Sequence, residues 1–164
     1  MKKIILILLA GLCFGSSYSQ DKAAEEQEVL KVIDALFTGM KEADSAMVNS
    51  AFVDTARMYT AFTDRNGKPV LSKGSLDEFL SAVGTPHDID YNEEIWGAEV
   101  RIDGPLAQVW TKYAFYAGNK FSHCGVDAFH LFKSEKGWKI FVITDTRNWQ
   151  NCKVPDDIQA KYKE

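Results

Sequence analysis

The chain has 164 residues, 46% of them hydrophobic, with 19 basic and 23 acidic side chains for a formal charge of −4. That length holds one domain with a real core. The acidic balance argues against nucleic acid or an anionic membrane surface as a partner, since both would repel it.

The first residues read as an address rather than as structure. Lys2 and Lys3 precede the apolar run Ile4 to Ala10, too short to span a bilayer with ease, and Ser17-Tyr18-Ser19 follows. This is the pattern of a secretory signal cut after Ser19. It assigns 1–19 to a leader, 20–154 to the domain and 155–164 to a polar C-terminal tail. Acylation at Cys13 is the competing reading, but Leu12 stands where a small residue is expected. Losing Lys2 and Lys3 takes the charge from −4 to −6. No second apolar span follows, so a soluble secreted or periplasmic product is expected. Cys124 and Cys152 then remain in an oxidising compartment, where a bridge is favoured over two free thiols.

A first helix is expected from near Ala23. Val29, Val32, Ile33, Leu36, Phe37 and Met40 make one buried stripe at helical spacing. Asp44 suits the N-cap of a short second helix carrying Met47, Val48, Ala51 and Phe52. Ala56 to Phe62 alternates as a strand, Asp64-Arg65-Asn66-Gly67 turns, and Pro69-Val70-Leu71 returns. Ser75 and Glu78 frame a capping box for a third helix with Leu76, Phe79, Leu80 and Val83 on its stripe. From Asn92 to Ile102 a strand puts Trp96, Ala98, Val100 and Ile102 on one face and Glu99 and Arg101 on the other.

Three further strands follow, from Leu106 to Tyr116, Phe121 to Phe132 and Trp138 to Thr146, rich in β-branched and aromatic residues with short turns between them. The stretch Asn148 to Cys152 and the tail read as peripheral. Helices first and a meander last imply an α+β fold, with N-terminal helices on one face of a curved antiparallel sheet that forms an open-mouthed cone. Such a concavity is where a ligand would bind.

At the last two strands the chain resembles the nuclear transport factor 2-like (NTF2-like, cystatin-like) superfamily, which includes ketosteroid isomerases and SnoaL-type cyclases. The small bacterial members labelled putative lumazine-binding are the most similar. The resemblance rests on Asp127 to Lys133, then Gly137-Trp138-Lys139-Ile140, with Asp103-Gly104 before Leu106-Ala107. It implies a cone, frequent homodimers through the sheet and a pocket between the first helix and the sheet. Two features depart from the pattern. Thr144-Asp145-Thr146-Arg147 stands where the lumazine-like branch continues with Asn-Lys, and the helix from Ala23 has no tyrosine to serve as the isomerases' oxyanion donor.

His123, Gly125 and Asp127 share a strand face with Phe129 and Leu131, and the resemblance points that face inward. Asp127 could then accept a proton and His123 donate one, against the plainer reading of a structural pair. Gly125 leaves room for a ligand or a neighbouring chain. The opposite face, from Ser122 to Phe132, is nearly as apolar and suits a partner subunit. Tyr113, Trp96, Tyr59 and Phe129 are candidate ligand contacts, each also readable as core filling. Asp145 and Arg147 read as an exposed ion pair worth under about 1 kcal/mol, and His87-Asp88-Ile89-Asp90 as a solvated turn rather than a metal site. No metal and no cofactor is expected. Three functions stay open: an exported domain binding a small apolar or aromatic molecule, an isomerase or dehydratase using Asp127 and His123, and a non-catalytic interaction module.

Overall fold

A computed structural model describes residues 15–163 except His87, with side chains from Gln20 onward. Most of the expected leader, and one member of the 87–90 turn, lie outside the described residues. Helix α1 (Gly15–Lys41) begins earlier than the apolar ladder. Its stripe is buried as expected at Val29, Ile33, Leu36 and Met40. Helix α2 (Ser45–Ser50) is capped by Asp44, whose carboxylate accepts the Met47 N–H at 2.8 Å. Phe52, expected to close that helix, instead opens strand β1 (Phe52–Thr63). Strand β2 (Pro69–Gly74) returns through a turn in which Asp64 Oδ1 accepts the N–H groups of Asn66 and Lys68. Helix α3 (Leu76–Gly84) starts at Ser75, which accepts the Glu78 N–H. Then come β3 (Tyr91–Asp103), β4 (Leu106–Ala117), β5 (Lys120–Ser134), β6 (Gly137–Arg147) and a short α4 (Asp156–Ala160).

The six strands form one sheet in the order β2-β1-β6-β5-β4-β3. Tight turns make every sequential pair antiparallel, but β1 and β6 run parallel. The chain between these two strands is long, so no hairpin constrains their direction. Helices α1 to α3 cover one face. Val29, Ile33 and Leu36 of α1 join Val109, Phe129, Leu131 and Ile140 of the sheet in one core. Phe37 meets Phe129 edge-on at 6.2 Å. Lys133 ties β5 to α1 through Glu25 at 2.7 Å.

One departure from the sequence reading decides the site. Strand β3 carries a bulge between Trp96 and Glu99, with Gly97 at φ +65°. The extra residue reverses which face each side chain takes. Val100 and Ile102 stay with the core under the helices, as does Ile95 on the far side of the bulge. Trp96 goes to the opposite, convex face. Glu93 shares the concave face with Ile95, because strand alternation places residues two apart together.

The segment read as peripheral is docked. Val154 and Ile158 pack with Trp96, Ala114 and Tyr116 on the convex face. Tyr162 stacks on Tyr116 at 3.8 Å, and its hydroxyl donates to Glu94. A disulfide joins Cys124 of β5 to Cys152, with Cα atoms 6.0 Å apart and a sequence separation of 28. No helix among the described residues is long and apolar enough to cross a membrane.

The bridge closes a loop of this size, so its loss should cost about 3 kcal/mol. Replacing Cys124 and Cys152 together by Ser should lower the urea midpoint accordingly, and added reductant should then leave the variant's midpoint unmoved.

Candidate functional site

Helices α1 and α3 stand off the concave face and leave a cavity of about 480 Å³. Its walls are apolar: Leu36, Phe37 and Met40 from α1, Phe79 and Val83 from α3, Met58 and Ile143 from the sheet. One group of its polar residues comes from the far ends of β3 to β6, Glu93, Tyr113, His123, Asp127, Asp145 and Arg147, while Thr60, Ser75 and Glu78 line it from β1 and the start of α3.

Strand register explains this gathering. Tyr113 pairs with Gly125, Thr111 with Asp127, and Asp127 with Asp145. Beyond Asp145 the β5–β6 ladder opens, and it closes again only at the bridge between Cys124 and Asn148. In the gap the Val126 N–H turns to Thr146 Oγ1 at 3.0 Å, and the Thr146 carbonyl accepts the Tyr113 hydroxyl at 2.8 Å. A Cβ on Gly125 would collide with that carbonyl and lie 2.8 Å from the Tyr113 ring. The room that Gly125 leaves is therefore filled by the protein's own backbone and a cross-strand aromatic, not by a ligand or a neighbouring chain.

Asp145 and Arg147 form the ion pair that spacing suggests, with the Arg147 side chain 46% exposed, but its carboxylate end is turned toward the cavity. The Asp145 side chain is only 16% exposed and lines the cavity. Its carboxylate accepts Thr60 Oγ1–H at 2.6 Å, Arg147 Nε–H at 2.9 Å and, more weakly, the Tyr113 hydroxyl at 3.4 Å. Three donors hold the sheltered Asp145 carboxylate in place, while the Arg147 end of the pair stays in contact with solvent.

Asp127 is 1% exposed, and its Oδ2 meets no conventional donor. The Glu93 carboxyl lies within hydrogen-bonding reach of it. Burial pushes Asp127 far above the usual carboxylate range, and neighbouring Glu93 and Asp145 push it further. Burial also pushes Glu93 up, to about 7, although its hydrogen bond from Asp127 pulls the other way. Two buried carboxyls this close resist a second charge, so the pair favours sharing one proton, and the deeper Asp127 is the better holder.

His123 stands between Phe115 and Tyr113, with ring centroids 5.2 and 5.7 Å away, and its Nδ1 is 3.0 Å from Ser122 Oγ. Burial and then Arg147 lower its pKa to about 4, so the ring is neutral at pH 7. His123 and Asp127 share the cavity but make no hydrogen bond to each other. Four residues of strand separate them by about 13 Å. Burial also raises the Tyr113 hydroxyl, with Asp145 and Glu93 adding to it, so Tyr113 stays a neutral donor.

Of the candidate contacts, Tyr59 and Tyr113 border the cavity. Phe129 does not: it is fully buried in the core beside Phe37. Trp96 lies on the convex face because of the β3 bulge. Glu93 escaped the sequence reading for the same reason, since regular alternation places it beside solvent-facing Glu99 and Arg101. Gly97 was the available signal. No group of three or more His, Cys, Asp or Glu suited to hold a metal occurs among the described residues.

Comparison with known proteins agrees with this architecture. The sequence matches the family described as putative lumazine-binding over residues 24–144. The chain belongs to this family. It is an NTF2-like protein with the cystatin-like α+β cone. Solved structures share the fold at low identity. An NTF2-like protein of unknown function from Shewanella baltica is 19% identical, with 82% of this chain and 98% of that one covered and a TM-score of 0.56. A Mycobacterium tuberculosis protein of unknown function is 10% identical, covers 89% of each chain and reaches a TM-score of 0.67. A protein from Novosphingobium aromaticivorans named a putative scytalone dehydratase is 11% identical, with 84% of this chain and 93% of that one covered and a TM-score of 0.64. No curated protein matches the sequence.

Two outcomes follow from the geometry of this family member. Glu93 titrates from about 4.5 unfolded to about 7 folded, so the folded state holds the extra proton in that window. The Glu93 contribution to stability should fall as pH rises from 4.5 to 7, on top of the loss that Asp127, also raised, adds over its own range. Glu93→Gln should remove that slope and raise stability at pH 8 by about 1–3 kcal/mol, read from urea unfolding across pH. Gly125→Ala should cost at least about 2 kcal/mol through overpacking, whereas Tyr113→Phe should cost about 1 kcal/mol for one hydrogen bond. Calorimetry of both variants checks the order.

Proposed function

We propose that this domain binds a small, flat, largely apolar molecule that carries one neutral hydrogen-bonding group. The apolar body sits between α1, α3 and the sheet, and the polar group meets the Asp127–Glu93 pair. The observation that carries this reading is an apolar-walled cavity of about 480 Å³ whose polar end is rich in carboxyls. That volume suits a ligand of a few rings. At its deep end Asp145 is already matched by Arg147 and Asp127 holds a proton. An anion there would face Glu93 without a free cation, so a carbonyl or hydroxyl is the better fit. The family's name refers to a flat heterocycle, which supports the ligand class.

A second reading is acid–base catalysis, an isomerisation or dehydration. It is favoured by Glu93, whose pKa of about 7 suits proton transfer at neutral pH. In that scheme Glu93 moves the proton, protonated Asp127 donates a hydrogen bond, and neutral His123 orients rather than supplies a proton. A pure interaction module is less favoured, because it needs no open interior. We keep export through the 1–19 leader, and pairing of two copies through the sheet, within this proposal. Exposed Leu106, Trp110 and Phe132 on the sheet support the pairing.

The test is thermal stabilisation by a panel of neutral phenols, heterocycles and sterol-like compounds. A fitting ligand at about 100 times its Kd should add about 2.7 kcal/mol. Filling the cavity with Ile143→Trp should abolish the shift, and a panel without a single stabilising member would overturn the reading. Asp127→Asn should keep a stabilising compound bound. If any panel member is turned over, loss of turnover in Asp127→Asn with binding intact would promote the catalytic reading.

A further inference from the structure

A second space opens beside the cavity. It is lined by Phe62, Asp64 and Arg65 at the end of β1 and its turn, and by Arg147, Trp149 and Asn151 after β6. Arg147 borders both spaces, so they meet at that side chain. Trp149 is 56% exposed, and it meets Phe62 edge-on at 6.3 Å.

Such an exposed indole would be unremarkable on a loose loop, but this loop is fastened. Cys124 N–H donates to the Asn148 carbonyl at 2.9 Å, Asn148 N–H donates back at 2.8 Å, and the Cys124–Cys152 bridge closes its far end. Asn151 turns the chain at φ +59°, in the left-handed region. A large aromatic is thus held at a set position in solvent, where ordering it on binding costs little.

The charges around it are also arranged. Arg65 is exposed and makes no ion pair among the described residues. Arg147 spends its Nε–H on Asp145, one of the five N–H donors of a guanidinium. The one carboxylate of the groove, Asp64, is engaged by two N–H groups of its own turn. Two guanidiniums beside a fixed aromatic pair suit a planar anion. The cavity's deep end, by contrast, disfavours one.

We propose that this groove is an outer subsite for the anionic end of the molecule whose apolar body occupies the cavity. The inference rests on the cavity reading above and adds a polarity to the ligand: a neutral polar group inside, an apolar middle, a carboxylate or similar anion at the rim.

A matched pair of fluorescent probes separates the two readings. Phenylnaphthylamine is neutral, and anilinonaphthalene sulfonate has the same rings with an anion attached. Both should bind the wild-type domain, the sulfonate more tightly by about threefold or more at low salt. Arg65→Ala and Trp149→Ala should each weaken the sulfonate about three- to tenfold and leave the neutral probe within about twofold. Ile143→Trp should remove both. Lys112→Ala, an exposed charge outside the groove, should change neither. Equal affinity for the two probes, equal loss of both in the groove variants, or the same loss in Lys112→Ala would overturn the subsite while the cavity reading stands. Failure of both probes to bind would overturn the cavity reading and the subsite with it.

Discussion

The site depends on one close approach between three strands. Gly125 of β5 has no side chain, so the Thr146 carbonyl of β6 can leave its ladder and lean over it, where the Tyr113 hydroxyl of β4 receives it. A buried carbonyl without a donor would be costly, and the tyrosine removes that cost. The same irregularity carries Asp145 and Arg147 over the concavity, within reach of Thr60 and Tyr113. Glycine, tyrosine and the freed carbonyl therefore act as one unit, and each is needed for the other two.

Around that unit the electrostatics are balanced rather than simply acidic. Three carboxyls meet one guanidinium, yet the pocket is not a trianion, because burial leaves a proton on Asp127. Tyr113 and His123 both remain neutral at pH 7 for the same reason, loss of hydration. The result is a cavity end that offers and accepts hydrogen bonds without an unmatched positive charge. Beside the cavity, exposed positive charge sits at Arg65 on the turn between β1 and β2. A change of polarity over the length of one small molecule is the chemical signature of this concavity.

Much of the fold was legible because its signals are local. The stripe of Val29, Ile33, Leu36 and Met40 can bury only as a helix, and the turns after Ala117 and Ser134 leave antiparallel pairing as the only option. His123, Asp127 and Tyr113 were found on the concave face because alternation along β4 and β5 holds between those residues. It failed where one residue was inserted. The bulge at Gly97 sent Trp96 outward and Glu93 inward, and no period of two can announce its own interruption. Phe129 failed differently: its face was right, but the helix α1 covers that level of the sheet, and the cavity begins one step further along. The stretch after Asn148 looked polar and peripheral because its few apolar residues, Val154, Ile158 and Tyr162, are useful only against Trp96 and Tyr116.

The amino-acid order by itself determined the elements, their succession and the half of the sheet that hairpins join, since these follow from periodicity, capping and loop length. Only the tertiary structure decided that β6 lies beside β1 in parallel, that Glu93 meets Asp127, and that Arg147 borders both the cavity and the groove at Trp149. Each of these brings together residues far apart in the chain. Their contacts are set by where a sheet bends and what a helix leaves uncovered, and neither quantity is written in any short stretch of sequence.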